Sequence, residues 1–198
     1  MATIKNWLIL LCLSGAWNCF AGSPLLSPST HSGQDKRGKV VLTAESQLHV
    51  REKTGNNDGK EVERYLRNVG LGKGYAWCAA FVAWCHDQNG IPNAQSAYSP
   101  DWFRSNVVYE RMQLASMGFT SKPGQVFGLY FESKGRVAHV GIITGETKFS
   151  YTTIEGNTDD GGSREGDGVY ARIRNKRSIY VIADYCMSKD EKRKYLGR

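Results

Sequence analysis

The stretch GYAWCAAFVAWCHDQNG, residues 74–90, brings two thiols, Cys78 and Cys85, and one imidazole, His86, into a single short segment. Such groups can form a disulfide, bind a metal, or supply a nucleophilic thiol with its base. The segment itself decides among these. From Ala76 to Asn89 it has helix formers, no proline and Gly90 as a stop. It is apolar nearly all round, which predicts a central, buried helix. Residues seven apart on a helix rise about 10.5 Å, whereas a disulfide needs Cα atoms within about 7 Å. Cys78 and Cys85 therefore do not pair within the helix, and a pairing of Cys85 with Cys186 stays open. Zinc sites use closely spaced ligand pairs with a second pair downstream. The gap here is too wide and no second cluster follows, so no metal or cofactor is expected. His86 lies about 12 Å along the axis from Cys78, too far for a base that needs contact near 3 Å. It reads as a polar residue near the helix end. If Cys78 is a nucleophile, its histidine comes from elsewhere.

Cys78 falls in the first turn of the predicted helix, after the turn GLGKGY. Unpaired N–H groups and the helix dipole favour an anion there, lower a thiol pKa and can stabilise an oxyanion. A small buried residue between Trp77 and Ala79 remains the competing reading. Downstream, AHVGIITGETKFSYTTIEGN reads as a hairpin centred near Thr147. Opposed residues of an antiparallel pair keep a constant index sum, which sets His139 opposite Glu155 on one face. A carboxylate so placed can orient an imidazole. Asn157 shares that face by strand parity. The alternative is a solvated polar pair. His31 and His49 have no comparable setting.

These groups need elements to position them. Thr43 begins a predicted helix that Gly55 can end. DGKEVERYLRNVG reads as an amphipathic helix, with Asp58 and Glu61 as a capping box and Val62, Tyr65, Leu66 and Val69 on one face. SPDWF starts a short helix, with Ser99 as its cap. Residues 107–121 look like a helical connection. After Pro123 the period changes. GQVFGLYFE, RVAHVGIITG, SYTTIEG, GVYARIR and SIYVIADY read as strands, with SKG (133–135) and NKR (175–177) as hairpin loops. Helices followed by an antiparallel meander give an α+β fold. The aspartates of NTDDGGSREGDG (157–168) lack the spacing of a calcium loop, and a flexible loop is expected.

The 198 residues are 40% hydrophobic and 23% charged, enough for a core and against global disorder. The net charge of +7 fits a polyanionic partner; without an RNP motif or a regular basic stripe, that partner is not expected to be nucleic acid. At the N-terminus, Lys5 precedes an apolar run from Trp7 to Trp17, with Cys19 and Ala21 at the −3 and −1 positions of a cut after Ala21. That is the anatomy of a signal peptide, residues 1–21. The run is short of the roughly 20 residues that span a membrane. Removing it takes one lysine and no acid, leaving +6. Cys12 and Cys19 leave with it; Cys78, Cys85 and Cys186 remain, an odd number that flags a functional thiol in an exported protein. Residues 22–42 read as a flexible linker, 43–186 as the domain, and 187–198 as a charged, frayed tail.

With WCAAFVAWC, AHVGIITG and TIEGNT in this order, flanked by KPGQVF and GVYARIR, the chain resembles the CHAP family of cysteine amidases and peptidases over residues 44–185. The family belongs to the papain-like NlpC/P60 superfamily. Gln125 departs from its pattern, standing where the family often has Asp after Pro-Gly. The resemblance implies Cys78 as nucleophile, His139 as base, and Glu155, or else Asn157, as the third group. It implies a secreted or periplasmic enzyme, expected as a monomer, that cleaves an amide bond of peptidoglycan as amidase or endopeptidase. Tyr75 and Trp102 are the expected groove residues. A wall-binding module without catalysis, or a protein-directed protease or toxin, would share the fold.

Overall fold

Helix α3, Cys78–Asp87, is buried at every residue from Cys78 to His86. A helix apolar on all sides has to be enclosed from more than one direction, and the computed structural model, which describes residues 28–114, 118–161 and 165–196, shows how. Helix α2, Lys60–Asn68, covers one side with Val62, Tyr65 and Leu66. The Tyr65 ring touches those of Trp77, Phe81 and Trp84. On the other side α3 packs against strands β3 (Arg136–Glu146) and β4 (Ser150–Thr158). Helices before an antiparallel sheet make the expected α+β architecture.

The sheet has six strands in the order β1-β6-β2-β3-β4-β5, where β1 is Val107–Glu110, β2 Val126–Phe131, β5 Gly168–Asn175 and β6 Val181–Ala183. Strands β2 to β5 form the expected meander. The segment NKR, however, is not a hairpin loop. It opens a 3₁₀ turn, Lys176–Ser178, that carries the chain from the edge strand β5 back to β6, between β1 and β2. Four strand spacings in a flat sheet are about 19 Å. The connection reaches roughly 16 Å when three of its residues are 3₁₀, so the sheet must curl to bring these strands together. In the segment 107–121 the described residues form β1 and one helical turn, α4 (Arg111–Leu114), rather than a long helix.

Both ends of the domain differ from expectation. Residues 1–27, which hold the expected signal peptide, lie outside the described residues. From Pro28 to Glu45 the chain is helix α1, across most of the expected linker. Arg37, Val40 and Ala44 are buried; they lie three and four residues apart, so they share one face. Gly, Ser and Pro composition hid this stripe. The helix ends at Glu45, so Thr43 caps nothing, and Gly55 lies in the loop that follows. Asp58 does not cap α2: its carboxylate accepts bonds from the Thr54 amide and hydroxyl, leaving Gly59 as the cap residue. At the C-terminus, Lys189–Leu196 form helix α5 instead of a frayed tail. The Arg37 guanidinium donates to Asp184 at 2.8 Å and to Glu191 of α5 at 2.9 Å, and Lys122 also binds Glu191.

Arg37 and Asp184 are 3% and 1% exposed. Removing one partner of a buried pair strands the other charge. Arg37→Met is therefore expected to lower stability by about 3–5 kcal/mol, read as a fall in urea midpoint with the m-value unchanged.

Candidate active site

Cys78 is the first residue of α3, with Trp77 as its cap residue. The first backbone bond of the helix runs from Phe81 N–H to the Trp77 carbonyl, so the amides of the first turn point out unpaired, as helix N-termini dictate. Two contacts pin this end. The Asn157 Oδ1 accepts from the Trp77 amide at 2.8 Å, and the Trp77 indole donates to Glu52 at 2.8 Å. Asn157 tolerates a left-handed conformation at φ 56°, a habit of short amide side chains. Its amide nitrogen donates to the Gly166 carbonyl. Asn157 thus anchors the helix start and does not contact the imidazole.

His139 stands on β3, fully buried, and its Nε2 meets Glu155 Oε2 at 2.8 Å. The geometry differs from a directly opposed pair. Ile142 faces Ile154 and Ile143 faces Thr153, a register two residues away from the symmetric hairpin centred on Thr147. An even shift keeps every side chain on its face, so His139 and Glu155 still meet, but diagonally. Gly141 makes the diagonal possible. A Cβ there would sit 2.7 Å from Glu155 Cγ and 2.8 Å from the Phe127 ring. With no side chain at Gly141, the Glu155 chain crosses that place to reach the ring. Thr153 Oγ1 donates to Glu155 Oε1 at 2.6 Å, and Arg174 from β5 binds both carboxylate oxygens.

Cys78 is a further neighbour of the His139 ring. Nδ1 is buried and has no hydrogen bond of standard geometry, yet the thiol and the ring interact closely enough to shift each other's ionisation. Burial opposes the thiolate most strongly. His139, the Ser99 hydroxyl and the Val140 amide outweigh it together and hold the Cys78 pKa below its ordinary 9.0. Burial likewise opposes the imidazolium, but Cys78 and Glu155 raise His139 to about 9. Glu155 is held down at about 2, against its burial, by Arg174 and His139. The three shifts run in the direction that favours a thiolate–imidazolium pair backed by a carboxylate. Ser99, with its Oγ 3.7 Å from the Cys78 sulfur, is a contact that the sequence showed only as a helix cap.

The other candidates sort by burial. Tyr75 is 57% exposed, free to meet a ligand. Trp102 is fully buried, its ring against His86 and Tyr185 and its indole N–H on the Ser96 carbonyl. It is a core residue and not a groove wall: the 3₁₀ turn Ser99–Phe103 sends Ser99 to the thiol and Trp102 inward. His86 is also fully buried rather than merely polar, locked to the Val82 carbonyl, and burial lowers its pKa to about 4. Cys85 and Cys186 are free, buried thiols whose pKa burial pushes up. Gln125 bonds Asp184 and the Lys122 amide, away from the thiol. A cavity of about 950 Å³ opens beside Ala76 and Asn157, lined also by Glu52, Asn57, Asp159 and Tyr170.

The CHAP domain family model matches residues 70–157, the segment that runs from the turn before Cys78 through His139 and Glu155 to Asn157. The resemblance read from the motifs is borne out there. No curated protein matches the chain. A solved structure of a mutated form of the Resuscitation Promoting Factor Interacting protein RipA is similar at a TM-score of 0.44 and 16% identity, over 83% of this chain and 69% of that one.

The thiolate pair predicts that iodoacetamide labels Cys78 readily at neutral pH, while Cys85 and Cys186 stay inert. His139→Ala removes the largest of the interactions that oppose burial of the thiol. The labelling profile should shift to the alkaline side, with the rate at pH 7 falling about tenfold. Gly141→Ala should displace Glu155 from the ring. The expected cost is about 1–3 kcal/mol by overpacking, seen in thermal melts, with an alkaline shift of the same labelling profile.

Proposed function

We propose that this chain is a thiol hydrolase that cleaves an amide bond of cell-wall peptidoglycan. The observation that carries the reading is the buried series Cys78, His139, Glu155, in which each group touches the next and each ionisation favours the thiolate. The CHAP match over the same residues supports the substrate class. The chemistry follows from the groups. The Cys78 thiolate attacks an amide carbonyl, forming an S–C bond and placing negative charge on oxygen. The unpaired amides at the start of α3 are positioned to receive that charge. The C–N bond then breaks as the His139 imidazolium gives its proton to the departing amine. Water attacks the thioester, returns a proton to His139, and releases the acid. Glu155 keeps the ring oriented and its charge compensated throughout.

Export after loss of residues 1–21 belongs to the same proposal, as does the groove role of Tyr75. Amidase and endopeptidase differ only in which amide is presented, and the catalytic groups are common to both.

Cys78→Ala is expected to abolish release of fragments from purified peptidoglycan, by at least about a thousandfold. Mass spectrometry of the wild-type digest should show new termini at one amide type. Undiminished digestion by the variant would reject the nucleophile. A wild-type protein that reacts with iodoacetamide at Cys78 but releases no fragments would point to another amide substrate, such as protein. One that is inert at Cys78 would point to a wall-binding module without catalysis.

A further inference from the structure

Glu155 is wholly buried, and the His139 ring accounts for one contact to one of its oxygens. The rest of the carboxylate is held mainly from β5. Arg174 is paired in register with Tyr151, while Glu155 is paired with Tyr170. The Arg174 side chain therefore runs back along the sheet face, past Thr153, to reach its partner. There Nε meets Oε1 at 2.8 Å and Nη2 meets Oε2 at 2.5 Å. Thr153 Oγ1 adds a third donor, on Oε1. A guanidinium fork on both oxygens fixes the plane of a carboxylate as well as its place. Oε2, shared between Arg174 and His139, then lies where the ring nitrogen can meet it.

We propose that Arg174 is a positioning residue of the thiol site, acting through Glu155 to keep that carboxylate ionised and aimed at His139 Nε2. The inference rests on the reading of Cys78 as a thiolate nucleophile, though not on peptidoglycan as its substrate. A buried carboxyl whose only ionisable partner is an imidazole can take up the proton itself, which leaves the ring neutral and the thiol protonated. The permanent charge of Arg174 removes that alternative. The charged and titratable groups on this face around Glu155 are His139 from β3 and, from β5, Arg174, Arg172 opposite Thr153 and Tyr170 opposite Glu155 itself, with Cys78 of α3 behind the ring. Arg172 is turned to the Asp160 carbonyl, the Tyr170 hydroxyl to Asp167, and Asp159, beyond β4, acts on Arg174. Arg174 also repels the imidazolium, but it touches the carboxylate directly and reaches the ring only across it. Its effect on Glu155 therefore decides the outcome.

The test compares Arg174→Gln and Arg174→Lys in the full chain, with folding followed by circular dichroism and the pH profile of Cys78 alkylation by iodoacetamide as readout. In R174Q the profile should shift to the alkaline side, roughly tenfold slower at pH 7. On a cleavable wall substrate, kcat should fall with KM unchanged. R174K keeps the charge and one bond, and should lie about threefold below wild type. A wild-type profile in folded R174Q overturns the proposal, and so does equal slowing at every pH, which marks altered access rather than altered ionisation. Should R174Q not fold, R174K carries the test, and a wild-type profile there overturns it. Alkylation needs no wall substrate. A shifted profile without peptidoglycan cleavage upholds Arg174 and rejects the substrate; a wild-type profile with cleavage rejects Arg174 alone.

Discussion

The hydrogen bond between His139 Nε2 and Glu155 Oε2 joins two side chains with no exposure to solvent. Neither can turn to water if the other is lost, and an ionised carboxylate in such a place is costly unless all its oxygens are served. Much of the sheet follows from that constraint. β4 supplies the carboxylate and, two residues before it, the Thr153 hydroxyl. β5 supplies the guanidinium. β3 supplies the imidazole and, at Gly141, the space through which Glu155 reaches it. The register between β3 and β4 sets these on one face, and a slip of a single residue would send them to opposite faces.

Helix α3 answers the same constraint from the other layer. Its apolar surface on every side lets it lie across the sheet with its N-terminus over the His139 ring. That end is not left to fray. Asn157 takes the Trp77 amide and Glu52 the Trp77 indole, so the residue before the thiol is fixed by backbone and side chain together. Gly156 lets α3 approach closely, since a Cβ there would meet the Trp77 ring at 2.6 Å and Phe81 Cβ at 2.9 Å. The segment Glu155–Asn157 thereby serves both layers: its acid orients the ring, its glycine admits the helix, and its amide holds the helix start.

The sequence was legible where one element carries the information. The apolar run of α3 and the change of period after Pro123 gave the α+β class, and helix geometry alone separated Cys85 and His86 from Cys78. The shared face of His139 and Glu155 was legible because parity survives an even shift of register, although the symmetric turn at Thr147 was not the one adopted. Features that arise only when distant segments meet were not legible. Arg174 reads as one more exposed residue of an edge strand until β5 is laid beside β4. Trp102 reads as a ligand platform until its 3₁₀ turn is seen to aim it at His86 and Tyr185. The helix α1 was hidden because its buried face, Arg37, Val40 and Ala44, includes a charge whose partner, Asp184, lies 147 residues away.

A thiol whose pKa is lowered beside a buried imidazole, with a carboxylate fixed behind the ring, is suited to forming and releasing a thioester. The direct test is to mix the full chain with soluble peptidoglycan fragments, quench in acid, and map the adduct by intact-mass and peptide mass spectrometry. The account predicts a transient mass increase equal to the acyl half of the cleaved fragment, located on Cys78 and absent from Cys85 and Cys186. Cleavage of the fragments with no acyl adduct on Cys78 at any quench time, and at an undiminished rate after Cys78 is alkylated, would contradict it.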